Sequence, residues 1–300
     1  MYSLVKAVKR YRNAYTNWLE VMFSVAVNHF PVIAVRRKTK SRIKLSNSTQ
    51  ARILSFGENL NFDDSAKLGI RMHGRSLILE PNNDNYGDVL GVFINQEYNE
   101  LRPERRVILD IGASVGDSSL WFAANGAEKV IAVEPSIGDF KSLCNNITAN
   151  GFVNVILPLW AGVGAMDNTA HIAKNAYGVG NTISANDVDI SSMLPLKILS
   201  LEEITRQFGL NRYFLKMDCE GCEYDVLPRV SDSVLKSIEE AQIEYHDGIR
   251  DLRSRFESAG FVVKIIPNKR IGLIERITEP DSGYIIARRM TDNARQGTSN

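Results

Sequence analysis

The residues with the clearest chemical potential lie close together in the sequence and end apolar segments. One such segment finishes in Lys216, Asp218, Glu220 and Glu223, and another ends in His246. Asp218 and Glu220 are two positions apart, so both side chains should point to the same side where a strand ends. Carboxylates and an imidazole grouped in this way can accept a proton and hold a hydroxyl group. We expect Asp218 or His246 to act as general base, with Lys216 and Glu220 holding a loop and an acceptor.

Two other interpretations of this cluster stay open. The charged residues can form a structural salt-bridge network in which His246 caps the next helix. Asp218, Glu220, Glu244 and His246 also offer the oxygen and nitrogen ligands of a divalent metal. Because strand-end carboxylates commonly serve without a metal, no metal is expected.

A second cluster is typical of a nucleotide-like ligand. Val107 to Ile111 has the continuous apolar character of a buried strand, and Gly112 and Gly116 then allow a tight turn into a helix. Dinucleotide-binding folds place a ribose-binding acid about 20 residues beyond such a loop. Glu134, which ends the next apolar segment 24 positions after Asp110, fits that role.

The spacing of the two glycines argues against a pyrophosphate. The dinucleotide fingerprint requires G-x-G-x-x-G, whereas this loop reads G-x-x-x-G after an acid that would repel a phosphate and suit an ammonium group. A ligand with a ribose, no phosphate and a cationic amine describes S-adenosylmethionine. The residues expected to bind this cofactor are Asp110, Gly112, Ser114, Gly116, Asp117, Glu134 and Pro135.

Both clusters need a scaffold that brings strand ends to one edge. The pattern predicts a doubly wound, mostly parallel α/β sheet with right-handed crossovers and an antiparallel last strand, whose ligands bind beyond the carboxyl ends of the strands. The polar segment 164–199 should be a long functional loop that covers the site. Strands are predicted at 107–111, 129–133, 153–157, 213–218, 239–245, 261–266 and 284–288, and helices at 117–124, 137–149, 201–208, 223–228 and 249–259.

Charge is distributed unevenly along the chain. The 300 residues carry a net charge of +1, but residues 1–60 contain eleven Lys or Arg against two Glu, which is +9, so the remainder carries −8. Such asymmetry can mark contact with a membrane surface or with nucleic acid. We expect an N-terminal extension at 1–100, the α/β domain at 101–290 and a flexible tail at 291–300.

The extension should combine one amphipathic helix, Tyr2 to Val27, with a small β element. Strands are predicted at 32–35, 42–45 and 52–56, a hairpin around Gly74, and a helix at 88–95. The apolar run at 21–27 is shorter than the roughly 20 residues that span a bilayer, and no secretory signal is recognised. The first helix can pack on the protein or a partner subunit. Alternatively it can lie on lipid, with Trp18, Leu19, Met22 and Phe23 facing the bilayer and Lys6, Lys9, Arg10 and Arg12 near the headgroups.

Cysteine content indicates a reducing compartment. Cys144, Cys219 and Cys222 cannot all pair with one another, so a disulfide framework is not expected and the last two should simply pack. We expect the cytoplasm, with the membrane surface as an alternative.

Taken together, these motifs resemble the FkbM-type S-adenosylmethionine-dependent methyltransferases. The family's common motifs have Asn at the position of Ser114, Val and Ala at Cys219 and Cys222, and Asp at Glu202. The similarity covers about 89–288 and is carried by residues 93–98, 110–117, 126–127, 134–135, 145–146, 201–202, 215–223 and 244–246.

This resemblance implies a Rossmann-like fold and methyl transfer from S-adenosylmethionine, most often to an oxygen of a sugar or natural product. By motif, it assigns Asp110, Gly112 and Gly116 to the methionine side, Glu134 to the ribose, and Asp218 and Glu220 to the methyl group or acceptor. We therefore expect an O-methyltransferase acting on a glycan or other small molecule. The alternatives are an RNA methyltransferase that uses the basic N-terminal segment, although nucleic acid is the less favoured partner, and a catalytically silent cofactor-binding scaffold.

Overall fold

The computed structural model of the chain describes residues 2–63, 67–80, 86–173, 193–267 and 281–289. The chain divides into two compact units, Met1–Gln96 and Glu97–Asn300. The tail predicted at 291–300 lies outside the described residues. Within the described part of the chain, no helix is both long enough and apolar enough to cross a bilayer.

The described part of the N-terminal unit combines short helices with two small antiparallel sheets. One sheet pairs β1 with β2, and the other has the order β3-β4-β5. A π-helical turn, Gly91–Asn95, ends the unit. The other elements are α1 (Tyr2–Ala14), α2 (Trp18–Ala26), β1 (Val32–Val35), β2 (Arg42–Leu45), α3 (Ser48–Leu54), β3 (Leu60–Phe62), β4 (Leu68–Met72), β5 (Arg75–Leu79) and α4 (Tyr86–Leu90).

The single helix predicted from Tyr2 to Val27 is wrong, because the chain forms two helices. Between α1 and α2, Tyr15 is fully buried and makes a β-bridge to Arg36. The backbone N–H of Thr16 donates to the carbonyl of Val35 at 2.7 Å. Pairing with the end of β1 therefore interrupts the helical hydrogen bonds that an apolar pattern alone would continue.

The strand predicted at 52–56 is also wrong, since these residues lie in and after α3. The Asn47 side chain caps this helix by accepting from the N–H of Gln50 at 2.8 Å, and the Gln50 side chain accepts from the N–H of Ser46 at 2.8 Å. This arrangement is similar to a capping box, although the Gln50 side chain accepts from the residue before the N-cap, and both capping residues are visible in the sequence. The buried residues of α3 recur at the three- to four-residue spacing of a helix, being Gln50, Ala51, Ile53 and Leu54.

The second unit is built around a seven-stranded sheet of order β14-β15-β13-β12-β6-β7-β8. Neighbouring strands are parallel except β15, which runs antiparallel to β13 and β14. The predicted doubly wound α/β fold with an antiparallel last strand is confirmed. Its elements are β6 (Val107–Ile111), α5 (Asp117–Ala124), β7 (Lys129–Glu134), α6 (Ile137–Ala149), β8 (Ile156–Trp160), β9 (Gly162–Val163), β10 (Asn168–Ala173), β11 (Met193–Leu199), α7 (Leu201–Phe208), β12 (Tyr213–Met217), α8 (Glu223–Val226), α9 (Asp232–Ser237), β13 (Ile238–Tyr245), α10 (Leu252–Ser258), β14 (Phe261–Pro267) and β15 (Gly283–Arg289).

Two segments of this unit differ from the sequence prediction. The third strand begins at Ile156 rather than at residue 153, because a turn after α6 comes first, with the N–H of Val155 donating to the carbonyl of Phe152. The segment predicted as a loop at 164–199 contains β10 and β11, which form a second sheet with β9. Residues 174–192 lie outside the described residues. Leu196 and Ile172 are buried against Trp160, so this segment has a small core of its own.

Candidate active site

A glycine loop between β6 and α5 lies against the ends of two neighbouring strands. The N–H of Gly112 donates to the carbonyl of Val133 at the end of β7. Gly112 has φ +75°, and a Cβ there would lie 1.6 Å from the carbonyl oxygen of Asp218. At Gly116, with φ +91°, a Cβ would lie 2.6 Å from a methyl carbon of Leu143. Backbone conformation favours glycine at both positions, and at Gly112 the contact with a backbone carbonyl also excludes any side chain.

Asp110, which precedes this loop, is anchored by two hydrogen bonds and an ion pair. Its side chain is 0% exposed, and Oδ2 accepts hydrogen bonds from the hydroxyls of Ser118 at 2.7 Å and Ser119 at 2.6 Å. The Nζ of Lys216 lies 3.3 Å from Oδ1 and donates to the carbonyl of Gly112 at 2.6 Å. The ammonium group beside Asp110 is therefore that of Lys216. Contact between Asp110 and a ligand stays a prediction.

Lys216 is a buried charge at the centre of the sheet. Only 2% of its side chain is exposed, because it lies on β12 between β6 and β13. Burial opposes its charge, but the carboxylates of Asp110 and Asp218 outweigh this effect, so its pKa is raised. Lys216 thus links the glycine loop to the charged cluster that follows β12.

Glu134 is fixed at the end of β7 by the backbone on both sides. One oxygen accepts from the N–H of Ser114 at 2.8 Å and the other from the N–H of Ser136 at 2.7 Å. Burial raises the pKa of Glu134 to about 7. The neighbouring Pro135 carbonyl accepts from the indole N–H of Trp160 at 2.9 Å. A ribose-binding carboxylate would need this position beside the loop.

The other two residues predicted for the cofactor lie in the same loop and helix start. Ser114 adopts φ +47°, an uncommon conformation for a residue with a side chain. Asp117 is buried in the first turn of α5, where a carboxylate complements the helix dipole. Asn146 donates to the Val115 carbonyl at 2.9 Å and so anchors the loop from α6.

The predicted catalytic residues come together around His246. Its Nε2 lies 3.5 Å from Oδ1 of Asp218 and 3.7 Å from Oε1 of Glu220, while its Nδ1 lies 3.0 Å from Oε1 of Glu223. The other oxygen of Asp218 lies 3.9 Å from the Nζ of Lys216. The carboxyl ends of β12 and β13 therefore bring these five side chains to one edge of the sheet.

Glu223 is the member of this cluster to which sequence reasoning gave no role. Its side chain is 0% exposed, and besides His246 it accepts from the backbone N–H of Gly221 at 2.9 Å. A buried carboxylate on one ring nitrogen fixes the orientation of an imidazole. The position of Glu223 in the charged run after β12 was visible in the sequence. Its contact with His246, 23 residues further on, was not.

Charge and burial set the protonation of two groups in the cluster. Burial opposes protonation of His246, but its hydrogen bond to the Glu223 carboxylate and the charges of Glu220, Glu223 and Asp218 raise its pKa to about 9. Burial, followed by repulsion from Asp218, raises the pKa of Glu244 to about 7. Tyr284 lies opposite Glu244 in the β13–β15 pair, and its pKa is raised by burial and by the charge of the Glu244 carboxylate. Tyr284 had no local sequence signal, because that pairing joins distant segments.

The turn after β12 corrects the expectation for its cysteines. Cys219 and Cys222 are not simply packed but form a disulfide, with the Cα atoms 5.5 Å apart. Between them, Glu220 has φ +55° and Gly221 has φ +115°. These two left-handed residues fold the chain back and bring the cysteines within bonding distance. Cys144 is a free thiol.

One group among the described residues has the geometry of a metal site. Ligand atoms of Asp218, Glu244 and His246 all lie within 4.8 Å of one another. Carboxylate oxygens with an imidazole nitrogen suit several divalent ions. The same side chains can serve as a proton acceptor and hydroxyl-binding groups without an ion.

Comparison with known proteins gives one family match. Residues 110–263, just over half of the chain, match the methyltransferase FkbM domain. Comparison with curated protein sequences found no match.

Several solved structures share a distant similarity of fold. Precorrin-6y C5,15-methyltransferase from Geobacter metallireducens GS-15 is 15% identical with a TM-score of 0.34, covering 61% of this chain and 80% of that one. Trm5b from Pyrococcus abyssi is 16% identical with a TM-score of 0.39, covering 86% of this chain and 61% of that one. TYW2 from M. jannaschii, solved in complex with AdoMet, is 14% identical with a TM-score of 0.40, covering 77% and 90%.

Proposed function

Since the chain belongs to the FkbM family of S-adenosylmethionine-dependent methyltransferases, we propose that it methylates a hydroxyl oxygen of a sugar, glycan or other small-molecule acceptor. When bound, S-adenosylmethionine supplies an electrophilic methyl group. The chain itself must hold that cofactor, place the acceptor hydroxyl and take up one proton.

The loop and its surroundings fit the cofactor. Gly112 and Gly116 let the loop turn tightly and pack against the Asp218 carbonyl and Leu143, and Glu134 lies beside this loop with both oxygens already oriented by backbone N–H groups. In this proposal Glu134 accepts hydrogen bonds from the ribose hydroxyls. Gly112, Ser114, Gly116, Asp117 and Pro135 form the surrounding wall, and Asp110 acts with Lys216 to fix the shape of the loop.

His246 is the proposed general base. The neutral ring donates its Nδ1–H to Glu223, which leaves the lone pair of Nε2 for the proton of the acceptor hydroxyl. As that proton arrives, Asp218 and Glu220 stabilise the imidazolium. The observation that carries the proposal is the placement of His246 Nε2, at the end of β13, near the carboxylates of Asp218 and Glu220. Asp218 follows the neighbouring strand β12, and its carbonyl packs against Gly112 in the glycine loop.

The charge of the site favours a neutral acceptor over RNA. Asp218, Glu220 and Glu244 surround His246, and Lys216 is already engaged by Asp110. A phosphate placed here would be repelled by these carboxylates, whereas sugar hydroxyls can donate hydrogen bonds to them. Lys216 and Glu220 keep the roles predicted for them, in holding the loop and the acceptor.

Radiolabelled methyl transfer to a panel of acceptors tests this proposal. The panel contains neutral sugars, phosphorylated sugars, a polyketide alcohol and RNA, and S-adenosylhomocysteine is measured in parallel. We expect transfer to a neutral hydroxyl compound. His246→Ala should lower kcat by about 10² to 10⁴ with cofactor affinity retained, and the exposed His171 provides the control variant His171→Ala. Transfer only to RNA would refute the acceptor class, and full activity of both His246→Ala and Asp218→Asn would refute the base.

A further inference from the structure

Helix α2 presents an apolar stripe to solvent. Leu19, Phe23 and Val27, the last being its C-cap residue, are 66%, 67% and 52% exposed. Their spacing of four residues places them along one side of the helix over about 12 Å. Val21 and Ser24 on the opposite side are buried. The inward face of α2 is therefore already satisfied, and the stripe faces outward.

The exposed hydrophobic side chains are concentrated in this region. Of the eleven large hydrophobic residues that the described part of the chain exposes, five belong to α1, α2 or the α2 C-cap. Leu4 and Val5 on α1 are 61% and 62% exposed. Single exposed apolar residues are ordinary on a protein surface, but a contiguous group marks an interaction site.

Exposed basic residues lie on the helix next to the stripe. Helix α1 contacts α2 and exposes Lys6, Lys9 and Arg12. Arg10 was predicted to lie near the headgroups, but it is not part of this surface. Its guanidinium stacks 4.2 Å from the ring centroid of Phe56 in the same unit. On α2 the acidic residue is Glu20, which Asn17 engages at 2.7 Å. The two contacting helices therefore expose both apolar and positively charged side chains.

We propose that the α1–α2 surface, defined as Leu19, Phe23 and Val27 with Lys6, Lys9 and Arg12, docks on a bilayer that contains anionic lipids. The apolar stripe would enter the boundary between headgroups and acyl chains, and the basic residues would contact the headgroups. Neither α1 nor α2 is long enough to cross a bilayer, so this surface would lie along the membrane boundary.

Charge and hydrophobicity favour an anionic bilayer at the α1–α2 surface over two other occupants, a second copy of the chain and RNA. A second copy of the chain would bring one strongly basic segment, +9 over residues 1–60, against another. RNA would neutralise the basic residues but would leave Leu19 and Phe23 in water. An anionic bilayer offers negative charge and an apolar interior together.

Vesicle co-sedimentation of the full chain tests the proposal. The vesicles are phosphatidylcholine alone and phosphatidylcholine mixed with phosphatidylserine. We expect binding to the mixed vesicles that weakens in high salt, and a loss of at least about tenfold in Leu19→Glu and Phe23→Glu. Met166→Glu and Val262→Glu are matched controls, because these side chains are 70% and 57% exposed outside the surface, and they should bind as the unmodified chain does.

Each alternative gives a different result. Absence of binding to the mixed vesicles, or equal binding by Phe23→Glu and Met166→Glu, would overturn the proposal. So would sedimentation equilibrium that shows a dimer lost in Phe23→Glu while vesicles stay unbound, or RNA binding abolished by Lys9→Glu without vesicle binding. Because Leu19 and Phe23 are exposed, both variants should keep the thermal unfolding temperature of the unmodified chain, which is measured alongside.

Discussion

Replacing Lys216 by methionine tests whether this residue is the structural link between the glycine loop and the charged cluster after β12. Lys216 and Asp110 are 2% and 0% exposed, and Lys216 also donates to the Gly112 carbonyl. Removing one partner of such a buried pair costs about 3 to 5 kcal/mol, because the remaining charge stays buried without compensation. In a folded unit of this size, each kcal/mol lowers the midpoint by about 2 to 4 °C, so the variant should melt about 6 to 20 °C lower.

Thermal and urea unfolding at pH 7 measure this effect. The pKa of Lys216 is raised in the folded chain, so its contribution is complete below its unfolded value and is lost only as pH rises through the folded value. Neutral pH therefore reports the full penalty. Lys264→Met is the control, since Lys264 pairs with Glu100 on the exposed surface and should cost less than about 1 kcal/mol.

A double-mutant cycle decides between a specific pair and general damage. Asp110→Asn combined with Lys216→Met removes both charges, so the double variant should be more stable than the sum of the single losses predicts. Additive losses, or a Lys216→Met variant as stable as the Lys264→Met control, would refute the assigned role.

Three further outcomes follow from the site. His246 must be neutral to accept a proton and its pKa is raised to about 9, so kcat/KM should rise with pH through that value; Glu223→Gln should move the midpoint to lower pH, and an unchanged profile would contradict the Glu223 contact. Glu134 accepts hydrogen bonds best when ionised and its pKa is raised to about 7, so cofactor affinity measured by calorimetry should increase as pH rises through that value, and Glu134→Gln should bind more weakly without this dependence. Turnover should be unchanged by a chelator, since the proposed chemistry uses Nε2 of His246 for a proton; loss restored by Mg²⁺ or Mn²⁺ would instead assign Asp218, Glu244 and His246 to an ion.

Local sequence signals predicted the sheet and the residues at its edge. The apolar run before Gly112 is long enough to be a buried strand, and the glycines that follow it indicate the turn into α5. The acids at the ends of successive runs then had to meet, because parallel strands share one carboxyl edge. The charged residues of the candidate site could thus be proposed before any contact between them was known.

The features that the sequence analysis missed depend on contacts between distant segments or on backbone conformation. Tyr284 meets Glu244 only because β15 inserts between β13 and β14. The Cys219–Cys222 bond depends on the left-handed conformations of the two residues between the cysteines. Helix α3 is a different case, since its capping residues were present in the sequence and were outweighed by an apparent apolar alternation.

The approach of Gly112 to the Asp218 carbonyl has a consequence for how this enzyme can vary. The two turns share one van der Waals boundary, so a displacement of either must be transmitted to the other. Substitutions in this boundary should therefore change KM for the cofactor and the rate of the chemical step together. Sequence divergence is mechanically easiest in segments that do not touch this boundary, so the glycine loop and the turn after β12 should vary as one part.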